Sequence, residues 1–385
     1  MVITATTAPE IAGPGLRVHT HRLIRAVVDA AALRHNLQQV RRVATDSRVM
    51  AVIKANAYGH GLVPAAKALA EADGFAVARL EEGLALRAAG LANRILLLEG
   101  VFGPDQLAIA AQANFELMVH SPEQLQLLDA LEGTAAVATW IKVDSGMNRL
   151  GFRPEDFAQA YARLRANPHV HAAPTLTTHL ASADERRDPK TVAQLDAFAA
   201  ATAGLPGARS IANSAGVLAW PAARADWVRP GLMLYGVTPF PSGCGVELGL
   251  RPAMTLRTEV IAVKQVKAGE TVGYGGAWIA PRDTRMAVVA AGYGDGYPRS
   301  IATGAPVQIG SHRAPLIGRV SMDMITVDVT ELSGVSVGDP VVLWGSDIPV
   351  EEIAVRAGRI PWDLLCGVSQ RVELTGSESR VTGNE

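Results

Sequence analysis

The strongest constraint on the fold is a repeated alternation between short apolar runs and longer helical stretches. Near-continuous apolar strands that alternate with helices are typical of a parallel sheet covered on both faces. The pattern therefore predicts an α/β region with eight strands, at residues 48–54, 74–79, 94–99, 115–120, 136–144, 175–180, 209–213 and 227–236.

Eight strand and helix units favour a closed (β/α)8 barrel, the TIM barrel, which typically takes about 250 residues. An open doubly wound sheet is the alternative. Helices are expected to open at Pro104, Ser121 and Pro154, and Gly90 suits the end of a helix.

The pattern changes after Gly243, where short strands are punctuated by Gly, Asp and Ser, with one helical stretch near 350–366. A chain of 385 residues also exceeds one ordinary core. We therefore expect an N-terminal extension at 1–22, a (β/α)8 barrel carrying the site at 23–243, and a C-terminal all-β domain at 244–385.

Composition excludes several classes of function. A formal net charge of −1 provides no basic field for nucleic acid. Cys244 and Cys366 are too few and too far apart for a disulfide framework or a metal site. The first 22 residues lack the pattern of a secretory signal, and no apolar run reaches membrane-spanning length. The sequence predicts a cytoplasmic protein with no metal and no membrane partner.

A barrel of this kind places its active site at the carboxyl ends of the strands. Polar residues stand at most of the predicted ends, and we expect them to gather on one rim. They are Lys54, Arg79, Glu99, His120, Asp144, His179, Asn213, Ser214 and Arg229.

Several of these residues allow two interpretations. Lys54 is either a solvent-facing amine or a Schiff-base lysine whose pKa is lowered by burial. Ser214 is either an ordinary helix N-cap or a phosphate ligand. The Gly231 and Leu232 amides either form a plain turn or cradle a phosphate. A lysine on the first strand and a phosphate cradle on the last two are what a pyridoxal-phosphate site requires.

The segment "AVIKANAYGHG" (51–61) resembles the cofactor-lysine signature of the alanine racemase family. Seven further segments resemble family blocks, in the family's order. They are "KVDSGMNRLGF" (142–152), "THLASAD" (178–184), "ANSAG" (212–216), "WVRPGLMLYG" (227–236), "VGYGGAWIAPRDT" (272–284), "GYGDGYPR" (292–299) and "GRVSMDM" (318–324). The resemblance covers residues 24 to 373. It implies a (β/α)8 barrel, a C-terminal β domain and a homodimer with shared active sites.

The resemblance also implies interconversion of L-alanine and D-alanine with pyridoxal 5′-phosphate, for peptidoglycan supply or alanine breakdown. Lys54 would hold the cofactor and act as one base, and Tyr274 of the partner subunit would be the opposite base. Two groups are required because one proton leaves one face of the α-carbon and another returns to the other face. His179 and Arg229 would form a relay to that tyrosine and to the pyridine nitrogen.

The same resemblance assigns the remaining site residues. Phosphate would be bound by Tyr58, Ser214, Gly231 and Leu232, and Asn213 would also bind the cofactor. Arg149 would bind the cofactor's phenolic oxygen and the substrate carboxylate, although a surface arginine after a turn is its plain interpretation. Lys142 matches a position that some members carbamylate; it could instead pair with a carboxylate. Met322, Tyr293 and Asp323 would line the substrate side, although the first two could be core residues and Asp323 a turn cap.

Three positions depart from the family pattern. Ser321 replaces a cysteine of some members, Gly294 replaces the more usual alanine, and Gln370 stands where several members place a phosphate-binding tyrosine. Rival functions are a racemase of broader specificity, a barrel decarboxylase, and a cofactor-carrying barrel without racemase turnover. Arg229 argues against the decarboxylase, and the second domain argues against the barrel alone.

Overall fold

The structure is a computed structural model that describes residues 22–376 except 135 and 171. The expected extension at 1–22 therefore lies outside the described residues, apart from Arg22. The strands are β1 (Arg25–Val28), β2 (Arg48–Val52), β3 (Gly74–Val77), β4 (Arg94–Leu97), β5 (Glu116–Val119), β6 (Ala138–Lys142), β7 (Thr175–Thr177), β8 (Arg209–Ser210), β9 (Trp227–Val228), β10 (Met254–Val266), β11 (Thr271–Val272), β12 (Trp278–Ile279), β13 (Thr284–Val289), β14 (Pro306–Ile309), β15 (His312–Ile317), β16 (Ile325–Asp328), β17 (Pro340–Trp344) and β18 (Glu373–Gly376).

The helices follow the strands as a (β/α)8 barrel requires. They are α1 (Ala30–Val43), the short turn α2 (Lys54–Tyr58), α3 (Leu62–Ala68), α4 (Leu80–Ala88), α5 (Pro104–Gln112), α6 (Pro122–Asp129), α7 (Pro154–Ala166), α8 (Lys190–Ala201), α9 (Ser214–Ala219), α10 (Val350–Ala357) and α11 (Pro361–Cys366). The starts expected at Pro104 and Pro154 are confirmed, and Ser121 is the N-cap of α6.

Strands β2 to β9 close into a parallel barrel in chain order, so the eight predicted strands and the barrel are confirmed and the open sheet is wrong. Closure is made where Arg48 pairs with Trp227 and Val49 with Val228. The interior is filled by one set of alternating side chains, including Met50, and the other set packs under the helices. The barrel is a packed core with its loops free to build a site.

Helix α1 stands before the barrel in sequence and covers its seam in space. It contacts α3, α9 and the turn after β9, at residues 232–235. Its fully buried Asn36 donates to the carbonyls of Leu234 (2.9 Å) and Arg251 (2.8 Å) and accepts from the Arg251 amide. One amide side chain thus pairs buried backbone groups that no strand reaches.

The second domain is a mostly antiparallel sheet with its own core. Its strand order is β13-β16-β15-β14-β17-β10-β1-β18, and β10 pairs again with β13. Two helices, α10 and α11, occupy the stretch where one was expected. Among the described residues, none of the helices has the length and apolar character that crossing a bilayer requires.

The first strand corrects the expected domain ranges. Arg25–Val28 falls within the expected barrel range 23–243, but it pairs antiparallel with β10 and parallel with β18. The chain therefore starts in the second sheet and crosses to the barrel through α1. Only the pairing with later strands reveals this, because a four-residue segment such as RAVV fits either sheet equally well.

Close backbone contacts fix the barrel against the second domain. Gly59, after the lysine at the end of β2, has φ +82°, and a Cβ there would lie 2.1 Å from the Leu365 carbonyl oxygen of α11. The carboxylate of Glu351 accepts from the amides of Thr238 (3.0 Å) and Gly245 (2.9 Å). Both links lie near the rim that carries the site.

Gly236→Ala tests the crossing between the domains. Gly236 has φ +82°, and a Cβ there would lie 1.9 Å from the Arg251 carbonyl oxygen. We expect a loss of about 3–5 kcal/mol in the free energy of unfolding, because strain and a backbone clash add. Gly249→Ala is the control, since φ is +73° with nothing within 4 Å, and should lose only about 1–2 kcal/mol. Equal melting temperatures for the two variants would contradict the assigned contact.

Candidate active site

Lys54 lies two residues beyond the end of β2 and is followed by a left-handed turn. Ala55, Asn56, Ala57 and Tyr58 have φ of 55°, 54°, 54° and 51°. Such a conformation costs about 1–2 kcal/mol per residue outside glycine, so four in a row need support from their surroundings. We call residues 54–58 the lysine turn. Lys54 and Tyr58 at its two ends both line one cavity.

The lysine turn is held from two sides. In front, the Glu82 carboxylate accepts from the amides of Ala55 (2.7 Å) and Asn56 (3.4 Å). Behind, the buried His60 ring contacts the carbonyls of Ala57 (3.0 Å) and Tyr58 (2.9 Å) through Nδ1. Burial lowers the pKa of His60 to about 4, so the ring is neutral and Nδ1 can donate.

The cavity opens at the carboxyl ends of the strands and has a volume of about 500 Å³. That size suits a small cofactor together with a small substrate. Of the strand-end residues expected on the rim, Arg79, His120 and Asp144 do not line the cavity. Ten predicted site residues do: Lys54, Tyr58, Lys142, Arg149, His179, Asn213, Ser214, Arg229, Gly231 and Leu232.

Arg229 is 5% exposed and is held by neutral groups. Nη1 donates to the hydroxyls of Thr177 (2.9 Å) and Ser210 (2.6 Å). Nη2 donates to the carbonyls of Thr178 (2.5 Å) and Ile211 (3.3 Å). Burial lowers its pKa to about 10, which leaves it cationic at neutral pH. Within the described residues no carboxylate pairs with it, so its charge and Nε are available to a ligand.

The last two strands form a cradle for an anion. The Ser214 hydroxyl accepts from the amides of Gly231 (3.0 Å) and Met233 (3.2 Å). A Cβ on Gly231 would lie 2.7 Å from the Tyr58 hydroxyl, so only glycine leaves the cradle open. The N-cap of α9 is Asn213, whose side chain accepts from the Gly216 amide, so the N-cap interpretation of Ser214 is wrong.

The cavity carries an excess of positive charge. Burial, and then Arg229 and Arg149, lower the pKa of Lys142 to about 8. Asp144 opposes that shift, although its Oδ1 already accepts from two turn amides. Burial and the same cations, with Lys54 and Lys142, hold the pKa of His179 well below its usual value. The His179 ring is therefore neutral.

Few carboxylates balance these cations. Glu99 lines the cavity but pairs with Arg79 at 2.7 Å, and Asp184 is the other lining carboxylate among the described residues. Burial, and then the nearby Cys366 thiol, raise the pKa of Tyr58 to about 12, so its phenol remains a donor. The arrangement suits an anionic ligand whose phosphate meets Tyr58, Ser214 and Gly231 and whose ring meets Arg229.

Four predicted site residues lie outside the cavity, on loops of the second domain. Tyr274 is 65% and Met322 51% exposed, and Tyr293 is also exposed. The loops adjoin, because the Tyr293 amide donates to the Ser321 carbonyl (3.1 Å). Neither Met322 nor Tyr293 is a core residue. Asp323 pairs with Arg371 at 2.6 Å, which is not the turn-cap role that was the alternative.

Sequence reasoning missed several contacts. Trp362 lines the cavity from α11 of the second domain, and no local pattern marks it. Thr177, which accepts a hydrogen bond from Arg229, is the last residue of the buried strand β7 and also lines the cavity. Glu82 follows Arg79 by three residues at a helix start, which is the spacing of a capping box and could have been recognised. The Gln370 side chain is exposed and outside the lining.

The described residues contain no group of three or more His, Cys, Asp or Glu side chains that could hold a metal ion. A lysine at a strand end, a glycine–serine anion cradle and a buried arginine without a carboxylate fit pyridoxal 5′-phosphate as the cofactor. Lys54 would hold its aldehyde carbon, and Arg229 would face the ring nitrogen.

Comparison with known proteins gives two family matches. The family model "Alanine racemase, N-terminal domain" matches residues 28–239, and "Alanine racemase, C-terminal domain" matches residues 253–375. A protein of Shewanella putrefaciens named "Alanine racemase" is 50% identical over 348 residues, which are 90% of this chain and 97% of the relative. A protein of Nitrosococcus oceani with the same name is 50% identical over 352 residues, which are 91% of this chain and 98% of the relative.

Solved structures agree in fold. The biosynthetic alanine racemase from Pseudomonas aeruginosa superposes with a TM-score of 0.90 at 46% identity, covering 93% of this chain and all of that chain. Alanine racemase from Acinetobacter baumannii gives 0.87 at 37%, with the same coverage. Both domains of this chain match alanine racemase domain models, and the chain belongs to the alanine racemase family.

Proposed function

We propose that this chain is an alanine racemase, which interconverts L-alanine and D-alanine with pyridoxal 5′-phosphate as its cofactor. The observation that carries the proposal is the presence of Lys54 and Arg229 in one cavity, the arginine being held by neutral oxygens alone among the residues that the structure describes. The D-alanine would serve peptidoglycan synthesis, or the enzyme would act in alanine breakdown, in the cytoplasm.

When bound, pyridoxal phosphate supplies an electron sink that makes the α-proton of an amino acid acidic. Lys54 would hold the cofactor covalently and, once released by the substrate amine, act as a base on one face of the α-carbon. The phosphate would be bound by Tyr58, Ser214 and the Gly231 and Leu232 amides. The Gly231 amide, which donates to the Ser214 hydroxyl, would exchange that acceptor for a phosphate oxygen, and Asn213 would shape the start of α9 beside them.

Arg229 would favour return of the proton to carbon after its removal. A guanidinium beside the ring nitrogen disfavours a second proton there, because two like charges would adjoin. Less of the negative charge left by removal of the α-proton would then be drawn into the ring. More of that charge would stay on the α-carbon, where a proton can return. A decarboxylase of this fold normally carries an acidic group there; Arg229 has no such partner among the described residues.

Tyr274 would be the base on the opposite face, supplied by a second subunit. In one chain it lies outside the cavity, and the exposed Tyr274, Tyr293 and Met322 give the second domain an apolar surface suited to another copy. Cations near His179 would favour the tyrosinate that such a base requires. We therefore propose a homodimer with shared active sites.

The substrate carboxylate would be bound by Arg149 and by the Met322 amide of the partner subunit, with Tyr293 and Asp323 at the entry. Burial lowers the pKa of Lys142 to about 8, so a neutral amine is accessible near neutral pH and can add to carbon dioxide, releasing a proton. The resulting carbamate would pair with Arg149 and reduce the excess positive charge. No observation favours a broader substrate range.

Lys54→Ala should abolish the function. We expect racemase activity to fall by about 10³-fold or more, because both the covalent link and one base are lost. The protein is incubated with pyridoxal phosphate, reduced with borohydride, and the labelled peptide is identified by mass spectrometry; alanine turnover is read by chiral chromatography. Lys67→Ala, an exposed lysine on α3, is the control. Retention of label and activity in Lys54→Ala would refute the assignment.

Tyr274→Phe should separate the two bases. We expect exchange of the α-proton of L-alanine with deuterated solvent to fall by about 10²–10⁴-fold, and that of D-alanine to fall far less. Exchange is followed by proton NMR rather than by racemisation. The equilibrium constant between the enantiomers is one, so kcat/KM for racemisation is the same in both directions and cannot separate the two bases. Tyr161→Phe, on the outer helix α7, is the control. Equal loss from both enantiomers would rule out a two-base scheme with Tyr274 on the L face.

A mixture of the two inactive variants tests the shared site. In a heterodimer of Lys54→Ala and Tyr274→Phe subunits, one site has neither base and the other has both. Co-expressed in equal amounts, they should regain about a quarter of wild-type activity, since half of the dimers are mixed and each has one intact site. Activity no greater than the sum of the two variants would show that both bases come from one chain.

A further inference from the structure

The lysine turn has a support that its own sequence does not supply. The amides of Ala55 and Asn56 point away from the β-ladder because the backbone is left-handed from Ala55 onward. Both residues are exposed, so water could satisfy these amides, but water would not hold the backbone in one conformation. The acceptor here is a side chain from the next βα unit, that of Glu82.

Glu82 uses both carboxylate oxygens on backbone amides. Oε1 accepts from Ala55 (2.7 Å) and Asn56 (3.4 Å). Oε2 accepts from Ala78 (2.9 Å) and Arg79 (3.1 Å), at the end of β3 and the start of α4. One carboxylate therefore joins the ends of β2 and β3 at the rim, where the two strands no longer pair directly.

The Glu82 link lies next to Lys54 and so affects the position of the lysine. The last ladder bond between these strands is the Ile53 amide to the Ala76 carbonyl (2.9 Å), immediately before Lys54. Beyond it, the Glu82 contacts are what tie the front of the lysine turn to β3. The turn in turn sets the separation of Lys54 and Tyr58, whose side chains reach the cavity and the Gly231 cradle.

A carboxylate is the group that this geometry requires. Four amides converge on two oxygens, and only an ionised carboxylate offers acceptors on both; glutamine would turn a donor toward one pair. Bonds to an ionised acceptor are also the stronger kind. Aspartate is one methylene shorter and would not span both strand ends.

We propose that Glu82 is a positioning residue for Lys54: its carboxylate fixes the left-handed turn that presents the lysine amine to the cofactor. This rests on the proposed function for its effect on turnover, but not for its effect on cofactor binding. The competing view is that Glu82 only caps α4, through Arg79, and affects stability alone.

The test compares Glu82→Ala, Glu82→Gln and Glu82→Asp with Glu81→Gln. Glu81 is the neighbouring exposed glutamate on the same helical turn, so its variant removes an equal charge from nearly the same place. Cofactor affinity is measured by titrating the cofactor-free protein with pyridoxal phosphate, well below the melting temperature of each variant. Attachment to Lys54 is read by borohydride trapping, and alanine kinetics are then measured on the loaded enzyme.

We expect Glu82→Ala to weaken cofactor binding and lower kcat by about 10- to 100-fold each, because small misplacement of a reacting group is costly. KM for alanine should change little, since the carboxylate-binding groups lie elsewhere. The cofactor affinity and kcat of Glu82→Gln should lie between those of Glu82→Ala and the wild type. Glu82→Asp should not reach the wild-type values, and Glu81→Gln should match them.

A purely structural role for Glu82 would give a different result. In that case Glu82→Ala would have a lower melting temperature but wild-type cofactor affinity, borohydride trapping and kcat. Glu82 would then be only a helix cap, and the proposal would be overturned. If Glu82→Ala does not fold, Glu82→Gln carries the same comparison. A wild-type chain that binds the cofactor at Lys54 but does not racemise alanine would defeat the proposed function while leaving the affinity test of Glu82 intact.

Discussion

Closure of the parallel barrel is the constraint on which the rest of the structure depends. Because β2 pairs with β9, the first and last strands of the barrel become neighbours, and their carboxyl ends share one rim. Lys54 and Gly231, distant in sequence, thereby face the same cavity. An open sheet with the same strands would leave the lysine and the anion cradle at opposite edges, so the site exists only because the sheet closes.

The charge of the cavity is a consequence of that convergence. Four cationic side chains, Lys54, Lys142, Arg149 and Arg229, meet where burial already disfavours charge. Burial and the nearby cations keep His179 neutral. Burial and the two arginines lower the pKa of Lys142. Such a cluster is stabilised by an anion that binds it, and the phosphate and carboxylate of cofactor and substrate are anions of the right kind.

The sequence was sufficient where a signal is local and insufficient where a contact is remote. The strands of the barrel and the residues on its rim could be predicted from periodicity, position and the family motifs. The expected barrel range of 23–243 wrongly included Arg25–Val28, because nothing in those four residues marks which sheet they join. Ser214 and Asn213 both suit an N-cap, and only geometry separates them. Trp362 reaches the cavity from the other domain, which no neighbouring residue indicates.

The lysine turn shows how strain and function meet at one place. Left-handed backbone at four residues other than glycine is unfavourable, because each has a Cβ, and of the four only asparagine adopts this conformation with some frequency. The turn persists because Glu82 and His60 bind it from two sides and Gly59 packs on α11. A right-handed helix at residues 54–58 would point the Lys54 and Tyr58 side chains in different directions relative to the cavity. The support for the turn therefore acts on the position of the reacting amine, and the barrel alone would not provide it.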